Sequence, residues 1–516
     1  MRASGVRRRS VKVTGRAVPI SGSWADVLGE GRLPCFVLIC LGVWLTAVDS
    51  LVTATIMPSV GRSLGGYVYF GWATAGYLTG SVLAGASSGV LALRFGLRSA
   101  MTAGALLYAC GCALSAVAPE IFSFLAGRIL QGIGGGWVVG LCSVSIGLLV
   151  ANRLLPRVYS AISSVWGVAV LVGPMLGGIF ADAGSWRAVF WVFAVQGVIV
   201  AVAARVILPA AEAADEENAV AWRQLSFIAI GVTLIALADL ASDFVRAAGL
   251  AILGVCAFLL VLNQDARGDI RLFPRGSGDP RTVHGAGYAT LFLFYVATMG
   301  LTVYGPAVLQ TLRGLSALAA GYVVSAEALF WTAVSLPVAG LTGLWPNRLI
   351  RLGATTIFIG LASCALVFDD RDLAWVVVAG GLIGVGFGLS HAFITQAILA
   401  DLASEERTIG GAGIATVRLT GAAAGSALAA AVANLAGFAH GFSAPAARTA
   451  GVWVFLAALP VAAAACLSAW QIGRAGVPRL VSPAEEVSNT ATAPSSVDKS
   501  MDGRIASHKP ESETTR

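Results

Sequence analysis

Charge is scarce in this chain. Asp, Glu, Lys and Arg make up 12% of its 516 residues, about half the share a soluble domain carries. Histidine occurs four times, and the eight cysteines have no metal-ligand spacing, with only Cys110 and Cys112 close together. A zinc site is therefore excluded by spacing, and the cysteines read as small buried apolar residues. HExxH and paired acidic metal motifs are also missing, and no soluble segment is long enough to host catalysis. The expectation is a non-enzyme with no cofactor.

What remains is apolar. Hydrophobic residues reach 57%, and the mean hydropathy is +0.81. They come in blocks of about 18 to 25 residues, the length that crosses a bilayer core. Spans are expected near 34–57, 69–92, 100–118, 122–150, 157–181 and 188–208, then 224–241 and 246–262, then 286–311, 319–345, 350–368, 373–400, 410–436 and 450–472. The fold class is an all-α polytopic membrane protein of about fourteen spans, grouped as six, two and six. The expected organisation is a basic arm (1–33), a six-helix bundle (34–208), a linker with two extra spans (209–285), a second six-helix bundle (286–472) and a disordered tail (473–516).

The net charge of +7 need not mean nucleic acid, and none is expected as a partner. Basic residues gather in the N-terminal arm (Arg2, Arg7, Arg8, Arg9, Lys12, Arg16) and in alternate short loops (Arg94, Arg98, Arg153, Arg157, Arg348, Arg351). This bias puts both termini in the cytoplasm of a cell-membrane protein. Acidic Asp401, Glu405 and Glu406 on the same side run against it.

The halves repeat. Gly132, Gly134 and Gly136 recur 252 residues later as Gly384, Gly386 and Gly388. The same offset carries Ala169, Gly173 and Gly177 onto Gly421, Gly425 and Ala429. Two parallel six-helix halves with a site between them are implied. The segment from Gly167 to Gly178 is a ridge of small residues, with Pro174 removing one backbone donor. It reads either as a packing seam or as a gate where moving bundles meet.

Charges inside spans are the exceptions that carry chemistry, since each costs roughly 2.5–3.5 kcal/mol at a helix centre. Asp49 lies mid-span with Thr46 and Thr53 on its face. In a low-dielectric cavity such a carboxyl can exchange a proton, or it can face a cationic substrate. Arg128 and Gln131, one turn apart, could tune that carboxyl or simply bind carbonyls. Glu327 is a second acid, either within the second bundle or near its outer mouth. Arg418 and His391 read as structural, and Asp239 and Asp243 as the outer turn of the extra pair. Trp72 and Tyr77 could line an aromatic site or pack.

Several motifs bring a family into view. Val48-Asp49-Ser-Leu-Val-Thr53-Ala-Thr-Ile-Met57-Pro58, Trp72-Ala-Thr-Ala-Gly-Tyr77-Leu78 and Arg128-Ile-Leu-Gln131-Gly132-Ile-Gly134 occur in order. They are followed by Gly167 through Gly173-Pro174 to Gly177-Gly178, and then Ser185-Trp186-Arg187. Arg271-Leu-Phe-Pro274 and Arg418-Leu-Thr-Gly421 add to them. Over residues 35–472 the chain resembles the major facilitator superfamily, in particular its fourteen-span drug:proton antiporters (DHA2-like). The loop Gly89-Val-Leu91-Ala-Leu93-Arg94-Phe-Gly96-Leu97-Arg98 departs from that pattern, with Leu93 in place of the family's Asp and Leu97 in place of an Arg. In the family that Asp helps lock the two halves in the outward-facing state through contacts at the inner face, so a weaker lock, altered state populations or a compensating contact elsewhere is expected here.

The resemblance implies a monomeric exporter of small hydrophobic or amphipathic compounds, working by alternating access and driven by protons. Its expected partners are the substrate, protons and the lipid bilayer. Asp49, Arg128 and Glu327 are the leading charge-handling residues, with Thr53, Trp72, Tyr77 and Gln131 around them. A metabolite facilitator or importer, or a non-transporting sensor, is the alternative.

Overall fold

The computed structural model describes residues 29, 32–150, 154–209, 221–240, 244–268, 270–368, 372–403, 406–472 and 474. The expected basic arm up to Leu28, the acidic stretch at 210–220, Asp243, Glu405 and the tail from 475 lie outside them. The described residues contain no strand and form fourteen α-helices. The first six are α1 (Leu33–Leu64), α2 (Trp72–Phe95), α3 (Leu97–Val117), α4 (Ile121–Leu149), α5 (Leu155–Asp182) and α6 (Trp186–Ile207). Two more follow, α7 (Trp222–Leu237) and α8 (Phe244–Arg267). The last six are α9 (Val283–Arg313), α10 (Ala317–Val338), α11 (Trp345–Val367), α12 (Leu373–Asp401), α13 (Arg407–Leu435) and α14 (Ala444–Ile472).

Thirteen of these are long and apolar enough to cross a membrane. The exception is α7, at the shorter candidate expected near 224–241. α7 has 16 residues, about 24 Å of helix against a hydrocarbon core of about 30 Å. A 3-10 turn at Ala238–Leu240 extends it.

Two helix ends also differ from expectation. α1 continues through Pro58, which is buried within the helix, and stops at Gly65, whose φ of 68° suits glycine. A single lost backbone bond is tolerated in a packed membrane helix, so proline is a poor end marker there. α10 stops at Val338, because Gly343 turns the chain at φ 72° and Pro346 starts α11 in its first turn.

The glycine repeat is built into the packing. In the first half α4 packs on α2 and α3, and in the second α12 packs on α10 and α11. A side-chain carbon on Gly132 or Gly136 would meet the carbonyls of Tyr77 or Ser81 on α2. One on Gly384 or Gly388 would meet those of Glu327 or Trp331 on α10. The middle glycines turn the other way, Gly134 onto Tyr108 of α3 and Gly386 onto Gly353 and Ile357 of α11. Close backbone approach of this kind is how helices gain contact where water supplies no drive.

The halves join along α5–α10 and α2–α13. Their joint is tight at the end where α1 finishes, called the outer end below after the expected orientation. There Asn434 Nδ2 donates to the Val68 carbonyl (2.7 Å), and Gln310 Nε2 to that of Thr55 (3.4 Å). The Asp182 carboxylate accepts the backbone N–H groups of Ala317 (2.8 Å) and Leu318 (3.3 Å), capping α10 from the opposite half. Phe70 lies between Tyr304 (5.2 Å) and Phe442 (5.4 Å), and Tyr67 meets Phe442 at 4.7 Å. At the inner end an apolar cluster of Leu38, Ala92, Leu97, Met101, Val158 and Val200 is drawn from α1–α6 alone.

Candidate functional site: a sealed ion pair and a central cavity

Asp49 sits midway along α1 and is fully buried. At 3.6 residues per turn, Thr53 lies on its face, while Leu51, Ala54 and Thr55 lie about 140° to 240° away. That geometry divides α1 into a side turned into its own half and a side turned towards the other half.

On the inward side Arg128 Nη1 donates to Asp49 Oδ1 (3.1 Å) and Oδ2 (3.3 Å), and to Gln131 Oε1 (2.7 Å). Gln131 Nε2 donates to Asp49 Oδ1 (2.9 Å) and lies 3.3 Å from the Tyr108 hydroxyl. Thr53 Oγ1 completes the carboxylate's shell at 3.3 Å. The guanidinium lies over the Tyr77 ring at 4.5 Å, and Arg128 is 1% exposed. A desolvated charge is stable only when paired and hydrogen-bonded, and this one is both. Thr46 turns instead to its own helix, donating to the Val43 carbonyl (3.1 Å).

The other face of α1 borders a cavity of about 170 Å³ between the halves, with α9, α10 and α12 as its remaining walls. Glu327 lines it, together with Leu51, Thr55, Tyr295, Trp331 and Phe387. Among the described residues the Glu327 carboxyl takes no hydrogen bond. Trp331, one turn after Glu327, stacks on Phe387 at 4.7 Å and 14°. Behind this wall His391 approaches Trp331 (5.3 Å), and Arg418 lies over Tyr295 (5.6 Å). The His391 Nε2 and Arg418 Nε atoms are buried without a hydrogen bond.

The candidate residues thus fall into two groups. Asp49, Thr53, Tyr77, Arg128 and Gln131 form one enclosed network, and Glu327 stands apart at the cavity. Tyr77 is buried, with Arg128 over its ring. Trp72 is at the start of α2, edge-on to Tyr69 at 6.1 Å. Tyr108, Tyr295 and Phe387 were missed by sequence reasoning. Tyr108 gave no signal within its apolar block, whereas Phe387 sits inside the glycine repeat.

The ridge on α5 splits as well. Gly173 and Gly177 pack on Leu51, Val52 and Thr55 of α1, and Gly178 and Pro174 face Leu318 and Gly321 of α10 in the other half. Gly167 has open space beside it. The counterparts Gly421 and Gly425 pack on Phe292 and Val296 of α9. The two ridges therefore each seat the first helix of their own half and do not meet each other. After α2, Gly96 turns the chain at φ 75°, and Gly89, still within α2, has open space beside it. Arg98 Nε donates to the Leu208 carbonyl (2.6 Å), and Arg94 lies 5.6 Å from the Phe95 ring.

Known proteins resemble this chain in sequence and fold. The Major Facilitator Superfamily profile matches residues 39–426. A protein of Mycobacterium tuberculosis named "Probable multidrug-efflux transporter" is 29% identical over 439 residues, covering 81% of this chain and 90% of that one. The Bacillus subtilis multidrug transporter protein MdtP is 23% identical over 385 residues, covering 71% and 69%. Among solved structures, a POT family transporter in complex with 5-aminolevulinic acid superposes with TM-score 0.61 at 13% identity, covering 85% and 96%. A D-xylose-proton symporter does so with TM-score 0.58 at 18%, covering 84% and 97%. At these identities the structural likeness speaks to fold.

Proposed function

The chain belongs to the Major Facilitator Superfamily, and from that premise we propose that it exports small hydrophobic or amphipathic compounds across the cell membrane in exchange for protons. The subfamily this reading points to is the fourteen-span drug:proton antiporters. The observation that carries it is the cavity between the halves, which joins an aromatic wall to a single unpaired carboxyl. An apolar cavity with one charge-handling group suits amphipathic ligands and proton exchange at one place. Efflux as the direction is supported by the names of the relatives above.

In this reading Glu327 is the carboxyl that meets substrate or proton first. Asp49 takes part only when its pair with Arg128 opens, which links proton uptake to a rearrangement inside the first half. The ordered contacts at the outer end fit a state that receives substrate from the inner side. The test is dye efflux from cells and inverted vesicles, with and without an uncoupler. The expected outcome is efflux that collapses with the uncoupler and falls at least about tenfold in Glu327→Gln, without loss of folded protein. Efflux that persists in that variant with its proton coupling intact would remove Glu327 from the role.

A further inference from the structure

Away from the central cavity, α8 packs mainly on α7 and leaves a gap between itself and the second half. The gap is an apolar cavity of about 510 Å³ bounded by α7, α8, α9, α13 and α14. Val255, Phe258, Ala289, Phe292, Ala424 and Leu428 are typical of its walls, and Tyr288, Ser277 and Thr420 are its polar members. The outward side of α8 is itself exposed and apolar, with Ile252, Leu253 and Leu260 facing away from the protein.

The cavity has a defined length. Its lining runs from Ala251 to Leu262 on α8, from Gly285 to Val296 on α9 and from Val417 to Leu428 on α13. Each run is eleven steps of helix, about 16 Å. That is close to half of a hydrocarbon core about 30 Å thick, one leaflet's worth. An apolar void of this size left empty would forfeit the dispersion contacts of every wall atom.

Arginines outnumber acids on the segments around the inner mouth, which Asp265 and Asp279 line. There the cavity opens into a second hollow of about 520 Å³ that shares Leu259, Leu262, Phe273 and Pro280. Exposed Arg223, Arg267, Arg275 and Arg281 stand on the three chain segments around it. The acids at the mouth are engaged with backbone and amide donors. Buried Asp265 accepts from Leu272 N (3.1 Å), Phe273 N (2.9 Å) and Gln224 Nε2 (3.0 Å), which folds the loop over the opening. Asp279 accepts from Arg281 N (2.9 Å), while Arg271 is paired with Glu406 (2.9 Å).

We propose that this side cavity binds an anionic phospholipid, with one acyl chain in the slot and its phosphate among the arginines. The apolar walls take a chain one leaflet long. The arginine mouth selects a negative headgroup, since each cation near a membrane surface contributes about 1 kcal/mol of attraction. The site needs no transport step, so its test is independent of the proposed export.

The experiment uses the full chain, purified and stripped of lipid, and titrated with phosphatidylglycerol or phosphatidylcholine under native mass spectrometry. A phosphatidylglycerol carrying a photoreactive acyl chain then maps the contact. Expected are at least about tenfold tighter binding of phosphatidylglycerol and crosslinks confined to 251–262, 285–296 and 417–428. Ala424→Phe should abolish the crosslinks. Arg275→Gln with Arg281→Gln should erase the headgroup preference while keeping them. Melting temperature and monodispersity report folding, and Ala289→Leu serves if Ala424→Phe is unstable. Equal affinity for the two lipids, crosslinks elsewhere, or crosslinks unchanged by the filling variants would overturn the proposal. Displacement of the probe by a lipophilic dye without any headgroup preference would do so too, assigning the cavity to substrate.

Discussion

At the scale of single residues, the Asp49–Arg128 pair is the costliest feature of the first half. Two desolvated charges hold together only through complementary contacts, and removing one leaves the other stranded, at about 3–5 kcal/mol. Arg128→Met should therefore lower the melting temperature of the purified protein far more than the double variant Asp49→Asn, Arg128→Met. If the double variant is as unstable as the single one, the pair is not the source of the loss. The sequence made Arg128, Gln131 and Asp49 visible one by one, as charges or amides in apolar spans. Their meeting across 79 positions depends on how α1 and α4 lie together, which periodicity along one helix does not encode. Glu327 was visible for the same reason, yet its place on the cavity rather than beside Asp49 follows from which half carries it.

At the scale of helices, glycine spacing foretold close packing, while the partner of each glycine came only from the fold. Within the α5 motif the structure separates positions that look alike in sequence. A side chain on Gly173 would press on Leu51 Cβ at 2.6 Å, whereas Gly167 has open space. Gly173→Leu should cost about 1–3 kcal/mol by overpacking and slow transport, and Gly167→Ala should leave both stability and transport near normal. Equal effects at the two positions would mean that the motif acts as an unbroken ridge. Asp182 belongs at this scale too, because it caps a helix of the opposite half. Hydrogen bonds to a charged acceptor contribute about 1.5–3 kcal/mol, so Asp182→Asn should loosen the outer end. The measurement is thiol crosslinking between Tyr67→Cys and Phe442→Cys in a background without the eight native cysteines, where a lower yield is expected. A yield unaffected by Asp182→Asn would show that the outer end holds without this cap.

At the scale of the molecule, the outer end is bonded across the halves, while the inner apolar cluster belongs to one half. The loop after α2 bears on this balance. Leu97 is buried in the inner cluster, so the position where an arginine was expected instead helps pack α3 within its own half. Leu93 is only half-buried and can be changed with less disturbance. The family pattern places an Asp there, and the resemblance implies that its charge favours closure of the inner face. Leu93→Asp should then shift the population away from the state bonded at the outer end, lowering the Tyr67–Phe442 crosslink. Leu93→Asn separates charge from mere polarity and should leave the yield near that of the parent. Should both variants crosslink like the parent, the missing carboxylate is not what sets this protein's resting state. The packing of Leu97 and the Arg98 bond to Leu208 would then be the contacts to alter next.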